Sequence, residues 1–269
     1  MSPDDKHLIT AHRNLLIKQW DNWREWPNEP FSHSQKTSKC TRTWKAIHTA
    51  PIQFMCFDPT STLLATASSD YTTKIWDTEA QYCTHNLKGA LGIVKCVRFH
   101  PLIEKVQQCI TGSEDGKLRV YDLNRSEMIV SLEGHFSSIT CFEYINYDDD
   151  SSLNYNYLIS SSRDKVMIVW SLLNYSKLYT IPIYEAVESF LVIENTLTAG
   201  RHFITMGNEG VLKLWDGKQS KCIFKQKDSL KIENIRKTDA AMQQCIIQSL
   251  FIKKVKKLIS MIIIALRIS

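Results

Sequence analysis

The sequence predicts an all-β protein built from five copies of one short, strand-rich unit. Three observations support this: five aromatic residues align in register, polar residues stand at fixed distances before them, and short strand-like segments flank turns. The aligned aromatic residues are Trp20, Trp76, Tyr121, Trp170 and Trp215. The intervals between them, about 45 to 56 residues, are close to the roughly 40 to 45 residues of one four-stranded β-propeller blade.

Side chains of one kind recur at each offset from the aromatic residue. Ten residues before it stands a hydroxyl: Thr10, Thr66, Thr111, Ser160 and Thr205. Six residues before it stand Asn14, Asp70, Asp115, Asp164 and Glu209. A basic residue stands two before it in four copies, as Lys18, Lys74, Arg119 and Lys213, and Ile168 is the exception. A coincidence of this kind indicates one repeated structural unit.

Within a repeat the segments are short and bounded by turns. The stretches 62–66 and 72–76 flank Ser69-Asp70, and the stretch 118–121 follows Glu114-Asp115-Gly116, which is a hairpin signal. Two polar stretches, 27–39 and 146–156, are predicted loop insertions that lengthen their repeats. Because a single four-stranded sheet leaves apolar faces exposed, such units are expected to stack around a common axis.

A histidine joins the repeated polar residues twice. His48 accompanies Thr66, Asp70 and Trp76, and His135 accompanies Ser160, Asp164 and Trp170. One such set resembles the triad of a hydrolase. Two sets, each with its tryptophan, resemble instead the hydrogen-bond tetrad that locks the blades of WD-repeat proteins, in which the aspartate, histidine, hydroxyl and indole are linked in sequence. Since neither copy is accompanied by a nucleophile elbow, the structural interpretation is preferred.

The histidine is replaced in two copies, by Ala90 in the third repeat and by Glu185 in the fifth. Those two blades are therefore expected to be held less tightly. No phosphate-binding glycine loop, HExxH motif or metal-ligand cluster occurs in the sequence. The sequence predicts no catalytic site, no cofactor, no metal and no small-molecule substrate.

Composition, charge and cysteine spacing narrow the class of protein and its expected compartment. The chain has 269 residues, 43% of them hydrophobic, which is typical of a folded domain. Its formal charge of +5 comes from basic residues after Phe224, so the body gives little support for nucleic-acid binding. The eight cysteines form no CxxC pair, and the acidic N-terminus has no apolar signal region. An intracellular protein with small buried thiols is expected.

Several longer segments resemble one family of proteins more closely than the repeat pattern alone does. They are the runs at 44–51, 57–66, 82–85, 99–101, 162–165, 168–170 and 181–188, the last being IPIYEAVE. They resemble the N-terminal propeller of the transducin-beta-like 3 family of WD-repeat proteins, over roughly 8–225. Because blade loops vary freely among unrelated propellers, these segments are more specific than the repeat itself.

The resemblance implies a fold and a function. It implies about five blades of an incomplete seven-bladed ring, occupying residues 1–227. The family works as a non-catalytic scaffold in the small-subunit processome, a nucleolar assembly on pre-ribosomal RNA organised around the U3 small nucleolar RNA. The implied partners are other WD-repeat processome proteins and, indirectly, the U3 and pre-ribosomal ribonucleoprotein.

The segment 228–269 departs from this pattern and is treated as a separate basic and apolar tail. It could form a helix lying on a membrane or in a partner groove. Its apolar end is too short for the roughly 20 residues that span a bilayer, so no membrane crossing is expected. The preferred interpretation is a truncated or incorrectly predicted gene product, since five blades of a seven-bladed ring cannot close.

Two other functions use the same fold. One is a WD-repeat adaptor in a signalling complex or a ubiquitin-ligase substrate receptor. The other is direct RNA binding, for which the basic tail and the basic residues on the strands are the support, although the strand residues are expected to be solvated edge charges. Trp23 and Trp26, which lie outside the repeat pattern, are the candidates for a partner-facing aromatic patch.

Overall fold

A computed structural model describes residues 1–21, 40–105, 107–145, 155–193, 202–207, 211–216 and 221–227. Over these residues the protein consists of nineteen β-strands in five antiparallel sheets, with one 3₁₀ turn at Ile103–Lys105. Each sheet takes its strands in sequence order, so every strand pairs with its neighbours along the chain. The strands are rich in β-branched and aromatic residues, which suit a pleated, half-buried surface.

Four sheets have four strands and the first has three. The first contains β1 (His7–Ala11), β2 (Leu16–Asp21) and β3 (Cys40–Lys45). The second contains β4 (Ile52–Phe57), β5 (Leu63–Ser68), β6 (Thr73–Asp77) and β7 (Cys83–Leu87). The third contains β8 (Val94–Phe99), β9 (Gln108–Ser113), β10 (Leu118–Asp122) and β11 (Glu127–Leu132).

The last two sheets repeat this arrangement. The fourth contains β12 (Ile139–Ile145), β13 (Tyr157–Ser162), β14 (Val166–Ser171) and β15 (Ser176–Pro182). The fifth contains β16 (Val187–Ile193), β17 (His202–Gly207), β18 (Val211–Asp216) and β19 (Lys221–Lys227). The first strands of the second, third, fourth and fifth sheets are neighbours in space, because β4 contacts β8, β8 contacts β12 and β12 contacts β16. They therefore lie side by side around one axis.

The hydrophobic core is divided into layers between consecutive sheets. Ile17 and Trp44 of the first sheet pack with Leu64 and Trp76 of the second. Three further clusters join the second sheet to the third, the third to the fourth and the fourth to the fifth. The second, third and fourth sheets bury both faces in this way, which explains the long apolar runs in their inner strands.

An irregularity in strand pairing recurs at the aromatic position of every sheet. The pairing of the third strand with the fourth shifts register immediately before Trp76, Tyr121, Trp170 and Trp215, and before Trp20 in the first sheet. A bulge of this kind increases the local twist. The five sheets therefore share their distortion as well as their sequence pattern.

These observations confirm the predicted fold class, an all-β partial propeller of five blades. Three predictions lie outside the described residues: the loop insertions at 27–39 and, except for its last two residues, at 146–156, and the tail at 228–269. The division of the chain at residue 227 accordingly stays a prediction.

A fragment ending at residue 227 is expected to be poorly soluble. In the first sheet, β1 pairs on one side only, with β2, among the described residues. Open strand edges and apolar sheet faces promote association between chains. Size-exclusion chromatography of residues 1–227 should therefore show aggregates or higher oligomers, and a sharp monomer peak would contradict this expectation.

Candidate partner-docking face

The loop before β4 is joined to the second sheet by a chain of hydrogen bonds. The Nδ1 atom of His48 lies 2.8 Å from Asp70 Oδ2, and its Nε2 atom lies 2.8 Å from Thr66 Oγ1. The indole N–H of Trp76 donates to the same hydroxyl oxygen at 2.9 Å. With Nδ1–H donating to the carboxylate and Nε2 accepting from the hydroxyl, each buried polar atom of the set has a partner.

The fourth sheet repeats this geometry. His135 lies 2.8 Å from both Asp164 Oδ2 and Ser160 Oγ, and the Trp170 indole donates to Ser160 Oγ at 2.8 Å. The structure thus brings together both sets of four residues that the sequence singles out. Because the hydroxyl of each set is fully buried and already engaged by an indole, neither set presents a nucleophile to solvent.

The indole-to-hydroxyl bond is also present in the first and fifth sheets. Trp20 donates to Thr10 Oγ1 and Trp215 donates to Thr205 Oγ1, each at 3.0 Å. The bond joins β1 to β2 in the first sheet and the second strand to the third in the other sheets. It is therefore shared by the four sheets that have a tryptophan at this position.

An ion pair occupies the place of the histidine in the third sheet, where Ala90 stands. Arg119 lies in β10 with its side chain only 4% exposed, and its Nη2 atom donates to Asp115 Oδ2 at 2.7 Å. Its Nη1 atom also donates to Ser113 Oγ at 2.9 Å. The turn aspartate is thus bound by a cation from its own sheet instead of by a loop histidine. The sequence pattern did not predict this role, although the only arginine among the repeated basic residues stands in the repeat that has Ala90 at the histidine position.

The fifth sheet uses an ion pair of a different kind. Glu185, at the histidine position, is 4% exposed and lies with Oε1 2.6 Å from Lys213 Nζ. Its carboxyl group fills the space where a side chain on Gly207 would project. The prediction that the third and fifth blades are less tightly held remains untested, but both contain a contact that the sequence pattern did not suggest.

The prediction that the strand-borne basic residues are solvated edge charges is wrong for two of them. Arg119 is 3% exposed, and Lys74 is 7% exposed with its Nζ atom donating to Asn86 Oδ1 at 3.0 Å. Both residues lie on the third strand of a four-stranded sheet, which is an interior strand of that sheet. They are therefore unavailable to a nucleic-acid backbone.

The hydrogen bonds of the second sheet fix the charge states of its tetrad. Burial alone would raise the pKa of Asp70, but hydrogen bonds from Thr72, His48 and the Thr49 backbone outweigh it and lower the pKa to about 2. Burial lowers the pKa of His48 despite its aspartate partner. In the third sheet, bonds from Arg119 and Ser113 outweigh burial and lower the pKa of Asp115 to about 2.

The free energy of unfolding should decrease in two stages as the pH is lowered. Because the pKa of His48 is lowered by folding, the unfolded chain binds a proton more readily than the folded one, and the free energy of unfolding should decline as the pH falls below about 6.5. Asp70 and Asp115 add a second decline between about pH 4 and pH 2, the window between their unfolded and folded pKa values. Each group contributes at most about 1.4 kcal/mol per pH unit.

Urea denaturation at a series of pH values measures both stages. The variant His48→Gln should flatten the curve between about pH 6.5 and pH 4, leaving the part due to His100, whose pKa burial lowers to about 4. An unchanged slope in that variant would show that His48 is not buried as the neutral form.

The tetrads lie at one end of the sheets, which we call the tetrad face. It is formed by the loops between sheets at 46–51, 88–93, 133–138 and 183–186, and by the turns at 69–72, 114–117 and 163–165. Large apolar side chains project from four of these loops. They are Phe136, 96% exposed, Tyr184, 80%, Leu91, 79%, and Ile47, 66%. Single exposed apolar residues are ordinary on a protein surface, but these four lie on consecutive loops of one face, which makes that face a candidate interaction site.

The turn aspartates hold this series in place. The backbone N–H of Phe136 donates to Asp164 Oδ2 at 3.0 Å, and that of Leu91 donates to Asp115 Oδ2 at 2.9 Å. The N–H of Thr49 donates to Asp70 Oδ2 at 3.1 Å in the same manner. The turn carboxylates therefore bind the backbone of the exposed Phe136 and Leu91 directly, and that of Thr49, two residues after Ile47. A surface held rigidly before binding loses less entropy when a partner docks.

The turn residue after each aspartate has a left-handed backbone. Tyr71 has φ 67°, Gly116 has φ 77° and Lys165 has φ 69°. Glycine adopts this region without strain, whereas a tyrosine or a lysine pays a conformational cost of about 1 kcal/mol. In the second sheet this geometry projects Tyr71, which is 49% exposed, onto the tetrad face.

The remaining sequence predictions concern two tryptophans, the cysteines, metal sites and membrane-spanning helices. Trp23 and Trp26 lie outside the described residues. The seven cysteines within the described ranges are free thiols. Neither a cluster of His, Cys, Asp and Glu residues suited to a metal ion nor a helix long and apolar enough to cross a membrane occurs in the part of the chain that the structure describes.

Comparison with known proteins agrees with this geometry. The WD40 pattern, described as WD domain, G-beta repeat, matches residues 38–77, 81–122 and 126–171. The chain is a WD-repeat protein. Each matched segment begins near the outer strand of one sheet and ends with the third strand of the next. One sequence repeat therefore supplies the outer strand of one sheet and the first three strands of the next.

Similar proteins share most of this WD-repeat chain but are much longer. Transducin beta-like protein 3 of Mus musculus is 35% identical over 233 residues, 84% of this chain and 26% of that protein. The Homo sapiens protein is 34% identical over the same shares. Mitochondrial division protein 1 of Kluyveromyces lactis is 29% identical over 151 residues, 49% of this chain and 21% of that protein. The chain spans about a quarter of the length of the first two relatives.

Proposed function

We propose that this WD-repeat chain is a non-catalytic scaffold in ribosome biogenesis, supporting pre-ribosomal RNA processing in the nucleolus as part of the U3 small-subunit processome. The observation that carries the scaffold function is the rigid series of exposed apolar side chains on the tetrad face. The assignment to the processome is supported by the likeness to transducin beta-like protein 3 over 84% of the chain. The docking partners are then other WD-repeat processome proteins.

The chemistry of the tetrad face supports protein docking over catalysis. The histidines, hydroxyls and carboxylates of the two tetrads bind one another and are buried, and large aromatic and aliphatic side chains are exposed on the loops beside them. Aromatic side chains are enriched at the centres of protein interfaces. The face therefore offers apolar contact area to a partner, while the groups of the two tetrads are closed to a substrate.

Contact with RNA is proposed to be indirect. Arg119 and Lys74, two of the basic residues that could have supported direct binding, are buried within the sheets. Phosphate contacts need exposed lysines and arginines, and they weaken steeply with salt. RNA associated with this chain should therefore be carried by its protein partners.

Affinity purification of the tagged protein from cells tests the proposal. Mass spectrometry should find other processome subunits, and sequencing should find U3 and pre-ribosomal RNA. Washing at high salt should separate electrostatic RNA contacts from protein contacts, since only the former depend strongly on salt. Recovery of cullin-type ligase subunits or signalling proteins alone would overturn the assignment and leave only the fold.

A further inference from the structure

The turn between β13 and β14 differs in charge from the equivalent turns of the other repeats. Arg163 and Lys165 stand immediately before and after Asp164, and only the fourth repeat has a basic residue on both sides of this position. Both basic residues are exposed. The side chain of Asp164 is 9% exposed and accepts from His135. The turn therefore presents positive charge to solvent and keeps its carboxylate inside the sheet.

Two exposed aromatic residues are bonded to this same turn through their backbones. The N–H of Phe136 donates to Asp164 Oδ2 at 3.0 Å, and the N–H of Tyr184 donates to the carbonyl oxygen of Lys165 at 3.2 Å. Phe136 is 96% exposed and Tyr184 is 80% exposed. One turn thus connects two aromatic side chains with two cations. We call these four residues, Phe136, Arg163, Lys165 and Tyr184, the aromatic–basic patch.

The positive charge of the patch is largely uncompensated. The ammonium group of Lys165 has no ion-pair or hydrogen-bond partner among the described residues. Arg163 has a loose partner, since its Nη2 atom lies 3.9 Å from Glu188 Oε1. The nearby carboxylate of Glu185 is buried and bound to Lys213 at 2.6 Å. The patch therefore combines apolar contact area with two cations that can pair with an incoming acid.

We propose that the aromatic–basic patch binds an acidic, apolar segment of a partner protein. Carboxylates of the segment pair with Arg163 and Lys165, and its aromatic or aliphatic side chains pack on Phe136 and Tyr184. This inference rests on the proposed docking function of the tetrad face and names the chemistry of what docks there. Apolar anchors supply most of the affinity of an interface, whereas complementary charges act mainly on the association rate and the choice of partner.

Single-stranded RNA also binds aromatic and basic side chains, but the patch fits RNA less well. A surface for RNA follows a run of phosphates with a series of cations. The uncompensated charge does not continue onto the third sheet, because Lys95 and Lys117 there are bound to Glu114 and Glu133 at 2.9 and 2.5 Å. Two neighbouring cations suit the carboxylates of a short acidic segment.

Selection from a phage-displayed library of random peptides tests this proposal, with the full chain fused to a soluble carrier as the target. Peptides that bind the carrier are removed first, and the rest are divided between the unchanged chain and the double variant Arg163→Gln with Lys165→Gln. Peptides enriched only on the unchanged chain should carry more acidic than basic residues, next to aromatic or aliphatic ones. Neutral or basic peptides, equal enrichment on the variant, or no enrichment above the carrier would overturn the proposal.

Binding kinetics of the most enriched peptide separate the role of charge from that of apolar contact. The double variant should slow association about fivefold, the size expected for two exposed ion pairs, and leave the thermal midpoint unchanged. Phe136→Ser should instead speed dissociation. The matched control is Lys105→Gln with Arg125→Gln, which removes two exposed cations at the opposite end of the sheets and should change neither rate. Unchanged association in the first double variant would overturn the role of the cations.

An oligouridylate of the same length as the peptide is the probe for RNA. It should bind at least about tenfold more weakly than the peptide, and equal or tighter binding would replace the proposal with an RNA site. The purification from cells distinguishes this inference from the proposed function. Selected acidic peptides without processome subunits would overturn the processome assignment alone, whereas processome subunits recovered equally by the double variant would overturn this inference alone.

Discussion

Replacing Arg119 with methionine should destabilise the protein by about 3–5 kcal/mol, the usual cost of breaking a buried ion pair by removing one partner. The substitution keeps a long apolar side chain but leaves Asp115, whose side chain is 11% exposed, without its cation. Ser113 also loses the Nη1 donor. Chemical denaturation monitored by tryptophan fluorescence measures the change.

The second repeat offers a matched control for this substitution. Lys74→Met removes a cation from the equivalent strand position, but Lys74 binds the neutral amide of Asn86 and not the turn aspartate. It should cost about 1 kcal/mol. The double variant Ala90→His with Arg119→Lys would introduce the loop histidine and strand lysine of the second repeat beside Tyr121, and it should recover part of the stability lost in Arg119→Met. Equal losses in Arg119→Met and Lys74→Met would show that the ion pair does not replace the tetrad.

Replacing Asp164 with alanine should have the second largest effect. The carboxylate accepts from His135 at 2.8 Å, from the backbone of Phe136 at 3.0 Å and from the backbone of Val166 at 3.2 Å. Loss of these bonds should cost about 2–4 kcal/mol and should release the loop that carries Phe136. Hydrogen exchange of the Phe136 amide, together with denaturation, measures both consequences.

Asp122→Ala is the matched control for Asp164→Ala. Asp122 accepts from the backbone of Asn124 at 2.8 Å and of Arg125 at 3.3 Å, in an exposed turn at the opposite end of the third sheet. Its loss should cost about 0.5–1 kcal/mol and leave the exchange of Phe136 unchanged. If Asp164→Ala did not speed exchange at Phe136, the aspartate would not be what fixes the exposed loop.

The fold could be predicted because its signals are local and repeated. The indole of Trp76 and the hydroxyl of Thr66 lie on paired strands, so their separation in sequence is set by one hairpin and recurs in each sheet. The same regularity predicted both tetrads. Repeated short-range geometry leaves a trace in the sequence that does not depend on knowing how blades pack.

Features set by packing between blades could not be predicted in the same way. The burial of Lys74 and Arg119 depends on the neighbouring sheet, which covers the strand that carries them. The exposure of Phe136 depends on a backbone bond to Asp164, 28 residues away.

Purification of tagged variants from cells, with measurement of the recovered processome subunits, shows whether the tetrad face docks protein partners. The test variant is Leu91→Ser with Phe136→Ser. The control is Met128→Ser with Ile129→Ser, which changes two apolar residues, 47% and 43% exposed, on the outer strand β11. The test variant should lose its partners while the control keeps them. Full recovery of the same subunits by the test variant would show that partners dock elsewhere.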